Sequence, residues 1–197
     1  NGTVAVGYKS LYALTSGASN TAVGFHALLG NTTGNRNTAI GYGAMDGSGG
    51  ATVLDSDDNL FIGYDSGGGT WDTAVSEFNV GIGNYTLDGA MNGALNNTAV
   101  GYAALSSITI GDGNTGIGFR AGDNITDGTY NTFLGYSSGT ELNNFSTGDE
   151  CTLLGAFADA SGVDGQNQTV IGYDATGQAN NSVTLGNNNV TAVYMAS

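Results

Sequence analysis

Asn20-Thr21-Ala22-Val23-Gly24-Phe25 returns almost unchanged as Asn37-Thr38-Ala39-Ile40-Gly41-Tyr42 and as Asn97-Thr98-Ala99-Val100-Gly101-Tyr102. Looser copies begin at Asn114, Asn131 and Gln168. Aligned on the glycine, eleven copies emerge: Gly7, Gly24, Gly41, Gly63, Gly83, Gly101, Gly118, Gly135, Gly155, Gly172 and Gly186. An internal repeat fixes the architecture before any single residue does.

Each column of the alignment has its own chemistry. The residue before the glycine is always aliphatic, from Val6 and Val23 through Ile117 and Leu134 to Leu185. The residue after it is aromatic in eight copies, Tyr8, Phe25, Tyr42, Tyr64, Tyr102, Phe119, Tyr136 and Tyr173. Three places after the glycine the first ten copies carry only Ser, Ala or Thr. Thr21-Ala22-Val23 and its cognates are short strands, because alternate residues of a strand point to opposite faces. Asn31-Thr32-Thr33-Gly34-Asn35 has turn chemistry, since Gly and Asn accept positive φ. Glycine spacings run from 14 to 22 residues, most often 17. One strand and its turns per repeat, with no helical period between, predicts an all-β parallel β-solenoid of about eleven coils.

Composition agrees. Of 197 residues, 35 are Gly, 22 Asn and 23 Thr, and none is Pro. Gly is far above its usual ~7%, and this mixture disfavours long helices. Regularly placed aliphatics in a chain that is 40% hydrophobic argue against disorder. A net charge of −14 argues against nucleic acid and against anionic lipid. No apolar run nears the ~18–20 residues that insert into a membrane. One coil offers about one aliphatic, one aromatic and one or two small residues, a thin core against ~1–2 kcal/mol of backbone entropy per residue. The spacing therefore predicts that the aliphatic column is buried, and that one face of each roll packs against identical chains.

The repeat resembles the head repeat of YadA-like trimeric adhesins, and its longer form is similar to repeats of phage tail fibres and of large surface proteins. The nearest match is the fourteen-residue interval from Gly172 to Gly186. The closing stretch Ser182–Tyr194 is similar to the segment that leads into an endosialidase-type chaperone domain. The resemblance covers nearly the whole chain as one repeat domain, 1–197, whose last repeat, 182–197, would lead into that C-terminal module. It implies a left-handed β-roll in a homotrimer. It also implies an extracellular location, on a virion tail fibre or a cell surface. Its role would be attachment to a cell-surface glycan or protein receptor.

No catalytic constellation stands out, and the chain reads as a structural protein and not an enzyme. The alternative is a carbohydrate-active solenoid, a polysaccharide depolymerase or lectin-like module, because such folds can carry paired carboxylates. His26 is the only His and falls in a variable column. Cys151 stands where other repeats begin with Asn, with no base identified beside it. Asp55, Asp57 and Asp58 cluster in a long interval and are the candidate ligands for a Ca2+ ion, since hard cations take several oxygens. Without an ion they are solvated loop carboxylates, as are Asp149 and Glu150. The long intervals also hold Trp71, Phe78 and Phe145, which are the candidate receptor contacts. Trp71 is expected as the outermost feature, with packing against the roll as the competing reading. The Thr column suggests an ice-binding array, but Val4, Leu60 and Val80 interrupt it.

Overall fold

The computed structural model describes residues 2–47, 56–71, 74–140 and 145–194. Every repeat contributes one strand. The first four are β1 (Val4–Val6), β2 (Thr21–Val23), β3 (Thr38–Ile40) and β4 (Leu60–Ile62). Next come β5 (Val80–Ile82), β6 (Thr98–Val100), β7 (Thr115–Ile117) and β8 (Thr132–Leu134). β9 (Thr152–Leu154), β10 (Gln168–Ile171) and β11 (Ser182–Leu185) complete the set. All eleven lie in sequence order in one parallel sheet. Their register follows the repeat: Thr21 faces Thr38, Ala22 faces Ala39 and Val23 faces Ile40. The molecule is a parallel β-solenoid with one strand per turn. Ten steps of ~4.8 Å give the sheet an axial length of about 48 Å.

Backbone conformation explains the glycine column. In the first ten copies this glycine has φ between 131° and 144°, a region closed to side chains. It also lies against the next coil, where a Cβ on Gly101 would overlap the carbonyl oxygen of Gly118. Each of the first eight coils bends at three further left-handed positions, five before the glycine and two and four after it. In the coil of Gly24 these are Ser19 (φ 60°), His26 (φ 61°) and Leu28 (φ 52°). His26 is thus a corner residue, with its ring stacked 4.0 Å from that of Phe25.

From β2 to β10 the residue two places before the glycine points into the roll. Ala22, Ala39, Phe61, Ala99, Phe133, Leu153 and Val170 are fully buried. Strand alternation then turns the residue before the glycine outward. The roll does not itself bury that aliphatic column, contrary to the sequence expectation: Val6 is 56% exposed, Ile117 39% and Leu134 43%.

Inside, the Asn that opens each repeat forms a continuous ladder. Asn20, Asn37, Asn59, Asn79, Asn97, Asn114 and Asn131 are all buried. Each side-chain oxygen from Asn20 to Asn114 accepts the backbone N–H of the next Asn, as Asn79 Oδ1 does from Asn97 N at 3.0 Å. The amide nitrogen reaches across the roll, as Asn97 Nδ2 donates to the carbonyl of Gly111 at 2.8 Å. One residue thereby joins strand, opposite wall and neighbouring coil, and leaves few of its polar atoms unpaired. Cys151 takes this place in the ninth coil, and its Sγ accepts from Gln168 N at 3.4 Å.

Two coils swap their large and small residues. Five coils have a small residue on the strand and a buried Leu or Met four places after the glycine, as in Ala22 with Leu28 or Ala99 with Leu105. In the coils of β4 and β8 the strand carries Phe61 and Phe133, and the fourth place is Gly67 and Gly139. A Cβ on Gly67 would lie 2.8 Å from the Phe61 ring, and one on Gly139 2.5 Å from the Phe133 ring. The neighbouring strands compensate too, with Gly81 opposite Phe61 and Gly116 opposite Phe133.

Candidate functional site

The outward face of the sheet is the largest chemical feature of the molecule. It bears the aliphatic column and, at its glycine edge, the aromatic column. The rings form a continuous ladder. Tyr8, Phe25, Tyr42 and Tyr64 stack in turn with centroids 4.9–5.3 Å apart, and Tyr102, Phe119 and Tyr136 do the same at 5.3 and 5.0 Å.

The ladder survives the two coils where the sequence column has Asn84 and Ala156 instead of a ring. The next residue, Tyr85 or Phe157, supplies the ring edge-on. Tyr85 lies 5.4 Å from Tyr64 and 5.6 Å from Tyr102. Phe157 lies 5.3 Å from Tyr136 and 5.8 Å from Tyr173. Asn84 meanwhile accepts the backbone N–H of Tyr64 at 3.0 Å. The sequence signal for this repair was a ring displaced by one place, which column-by-column alignment passes over. Ten rings run from Tyr8 to Tyr173. Where the rings are stacked their faces are spent on each other, so they present edges and hydroxyls outward, unlike a platform for sugar faces.

The acidic cluster proves to be engaged within the chain. Asp57 Oδ1 accepts the backbone N–H of Asn35 at 2.6 Å. Arg36 bridges to Asp57 at 2.9 Å and to Asp58 at 2.6 Å, and this guanidinium holds the Asp58 carboxyl below its ordinary range. A guanidinium in that position competes directly with a cation. Asp55 lies outside the described residues. Asp149 Oδ1 accepts the backbone N–H of Thr129 at 2.7 Å, so it closes a turn as Asp57 does. The lone thiol of Cys151 is buried, and burial pushes its pKa up, the reverse of an activated nucleophile.

The candidate receptor contacts separate. Trp71 is not the outermost feature. It is fully buried, with its ring edge-on to Phe61 at 5.7 Å and Nε1 donating to the Gly67 carbonyl at 3.1 Å. Phe145 repeats this arrangement against Phe133, also at 5.7 Å and fully buried. Both are core residues of the two twenty-residue coils. Glycines make room for each aromatic pair inside, Gly67 and Gly81 at Phe61 and Gly116 and Gly139 at Phe133, which is the physical reason that reading Trp71 and Phe145 as protruding contacts fails. Phe78 alone of the three is exposed.

A carboxylate group that sequence reasoning missed lies on three successive coils, Asp46, Asp65 and Asp88. The positions are close: a Cβ on Gly43 would touch both Asp65 Oδ1 and Asp46 Oδ2. Partial burial raises all three acids, and mutual repulsion adds to Asp46 and Asp88. The Asp88 carboxyl is pushed up to about 6. Two of these residues fall in a column filled elsewhere by Tyr12, Leu29, Gly68, Ser106, Asp123 and Thr140, and the third, Asp65, stands in a different column, so no single column marks the group. Among the described residues no three acids, His or Cys gather as a metal site would require. A polar cleft of about 510 Å3 lies at the other end of the roll, beside Asp174, Gln178, Thr184 and Asn187.

No protein-family model, curated protein or solved structure matches the chain.

Proposed function

We propose that this chain is a rigid structural segment of an extracellular fibre, a tail fibre or surface adhesin. In it, copies of the roll pack on one another through the aliphatic face and hold an attachment surface away from the particle or cell. It acts by assembly and display and not by catalysis. The observation that carries this reading is the outward aliphatic column. A column of Val, Ile and Leu kept apolar over eleven coils, yet left in solvent by its own chain, is a contiguous exposed apolar stripe of the kind that marks an interface. Identical copies suit it well, because a rod with one period along its axis meets its own period in a second copy. The number three follows from the resemblance of the repeat to trimeric adhesin heads.

Ile82→Lys with Ile117→Lys tests the reading. Both side chains point outward, so the roll keeps its interior while the shared face gains charge. The double variant should retain its β spectrum and fall to a lower mass than the wild type on light scattering. Unchanged mass with unchanged spectrum would show that this face is not where copies meet.

A further inference from the structure

The ladder and the core account for most of the rings in the molecule. Ten rings stand in the ladder and four, Phe61, Trp71, Phe133 and Phe145, in the core pairs. Tyr12 lies under the Lys9 ammonium, 5.3 Å from its ring centre. Within the coils two rings remain, Phe78 and Tyr130, with no ring partner among the described residues. They are 52% and 68% exposed. They also share a column, the corner five residues before the glycine, and both stand in the left-handed region, Phe78 at φ 59° and Tyr130 at φ 58°. Elsewhere this corner takes Ser19, Arg36, Asp58, Asn96, Gly113 and Glu150. A bulky residue there is costly, where Gly or Asn would fit without strain. An exposed ring adds a second cost in hydration. Tyr130 lies over Gly113, where a Cβ would be 2.8 Å from its ring, so this ring is braced while remaining exposed.

We propose that Phe78 and Tyr130 are two stacking platforms for a neutral, linear polysaccharide lying along this corner of the roll. The proposal deepens the attachment role above and rests on it. Three coil steps separate the rings, about 14 Å along the axis. Between them lie Asn96 and Gly113. The apolar surface is therefore two separate spots on a straight polar edge, not one patch ringed by a seal as in a protein hot spot. A polymer with apolar sugar faces at intervals and hydroxyls between matches that alternation. The Asn96 amide both donates to and accepts from hydroxyls, and the Glu150 carboxylate accepts from them. Glu150 and the overall charge of −14 repel a polyanion, which selects an uncharged chain. These rings do not belong to the stacked ladder, so neither is spent on another ring.

The test is affinity electrophoresis of the full chain through gels holding dextran, mannan or hydroxyethylcellulose, with alginate as the charged control. Light scattering on the same samples gives the mass. At least one neutral polymer should retard the wild type, and alginate should not. Phe78→Asn and Tyr130→Asn each put a residue tolerant of this corner in place of a ring, so folding is kept. Each should weaken retardation by roughly fivefold, and the pair should abolish it. No retardation by any neutral polymer, equal retardation by alginate, or a double variant that binds like wild type would each overturn the proposal. A change of mass in the double variant would also overturn it, by assigning the rings to contact between copies. An assembled rod that binds no polymer would leave the fibre reading standing alone. A folded monomer that binds would do the reverse.

Discussion

At Gly101 two constraints meet, a φ of 131° and a neighbouring carbonyl where a Cβ would have to be. Gly101→Ala should therefore destabilise the roll by at least ~2 kcal/mol, the range for a forced backbone conformation plus a steric shift. Urea denaturation checks this, and a loss under half that size would mean that the stack opens easily. Cys151 gives the opposite kind of prediction. It interrupts the Asn ladder with a weak donor and acceptor. Cys151→Asn restores an amide facing Asn131 and the Gly165 carbonyl, where Sγ now stands at 3.4 Å. The variant should gain about 0.5–1.5 kcal/mol. A loss would show that the larger amide does not fit the ninth coil. The glycine requirement was legible from recurrence alone, and so was the inequivalence of Cys151. The inward direction of the Asn side chain was not, because Asn serves in turns as readily as in ladders.

Single coils add information that no single residue carries. Phe61 and Gly67 in one coil exchange places with Ala and Leu in its relatives. The backbone at Gly67 (φ 66°) is close to that which already holds Leu28 (φ 52°) and Leu105 (φ 50°). Phe61→Ala should cost ~3–5 kcal/mol by leaving a cavity, and Gly67→Leu alone ~1–3 kcal/mol by overfilling it. The double variant should cost clearly less than their sum, by more than ~1 kcal/mol. Additive losses would refute the exchange.

The three coils that carry Asp46, Asp65 and Asp88 make a second prediction. Their acids are raised in the fold, so the folded chain binds protons more tightly than the unfolded one. Their contribution to stability is present in full below the ordinary carboxyl range and is lost as pH rises through about 6. Asp58 acts the other way, and its stabilisation is lost only as pH falls below that ordinary range. The melting temperature should thus rise from pH 7 to pH 5. Asp88→Asn should flatten that rise and melt higher than wild type at pH 7. A wild-type melting temperature that falls over this interval would contradict the burial of these acids.

Strand positions were legible to the residue, because period two and the terminal glycine together admit one register. Which strand face turns inward was not. Alternation separates Ala22 from Val23 but does not say which of them the roll encloses, and burying the bulkier residue is the natural expectation. The enclosed space of a small coil decided for Ala22. Trp71 and Phe145 were misjudged for a related reason. A long interval does not say whether its aromatic residue points in or out, and only the room left by Gly67, Gly81, Gly116 and Gly139 tells the two apart.

The whole molecule is an acidic stack of coils with one apolar side. Coils repeat every ~4.8 Å, inside the ~8 Å Debye length at physiological salt, so carboxylates on neighbouring coils repel one another. In the proposed trimer, three copies of a chain with charge −14 would intensify this. The melting temperature should be higher in ~0.5 M sodium chloride than in millimolar buffer, because salt screens the repulsion. No change would mean that the carboxylates are too dispersed to interact.

The central claim is that identical copies cover the outward column from Val6 to Leu185. Sedimentation equilibrium of the wild-type chain at micromolar concentration tests it most directly. The account predicts a single species near three times 19.7 kDa, with no folded monomer on dilution to nanomolar. A well-folded species of 19.7 kDa at micromolar concentration would contradict it.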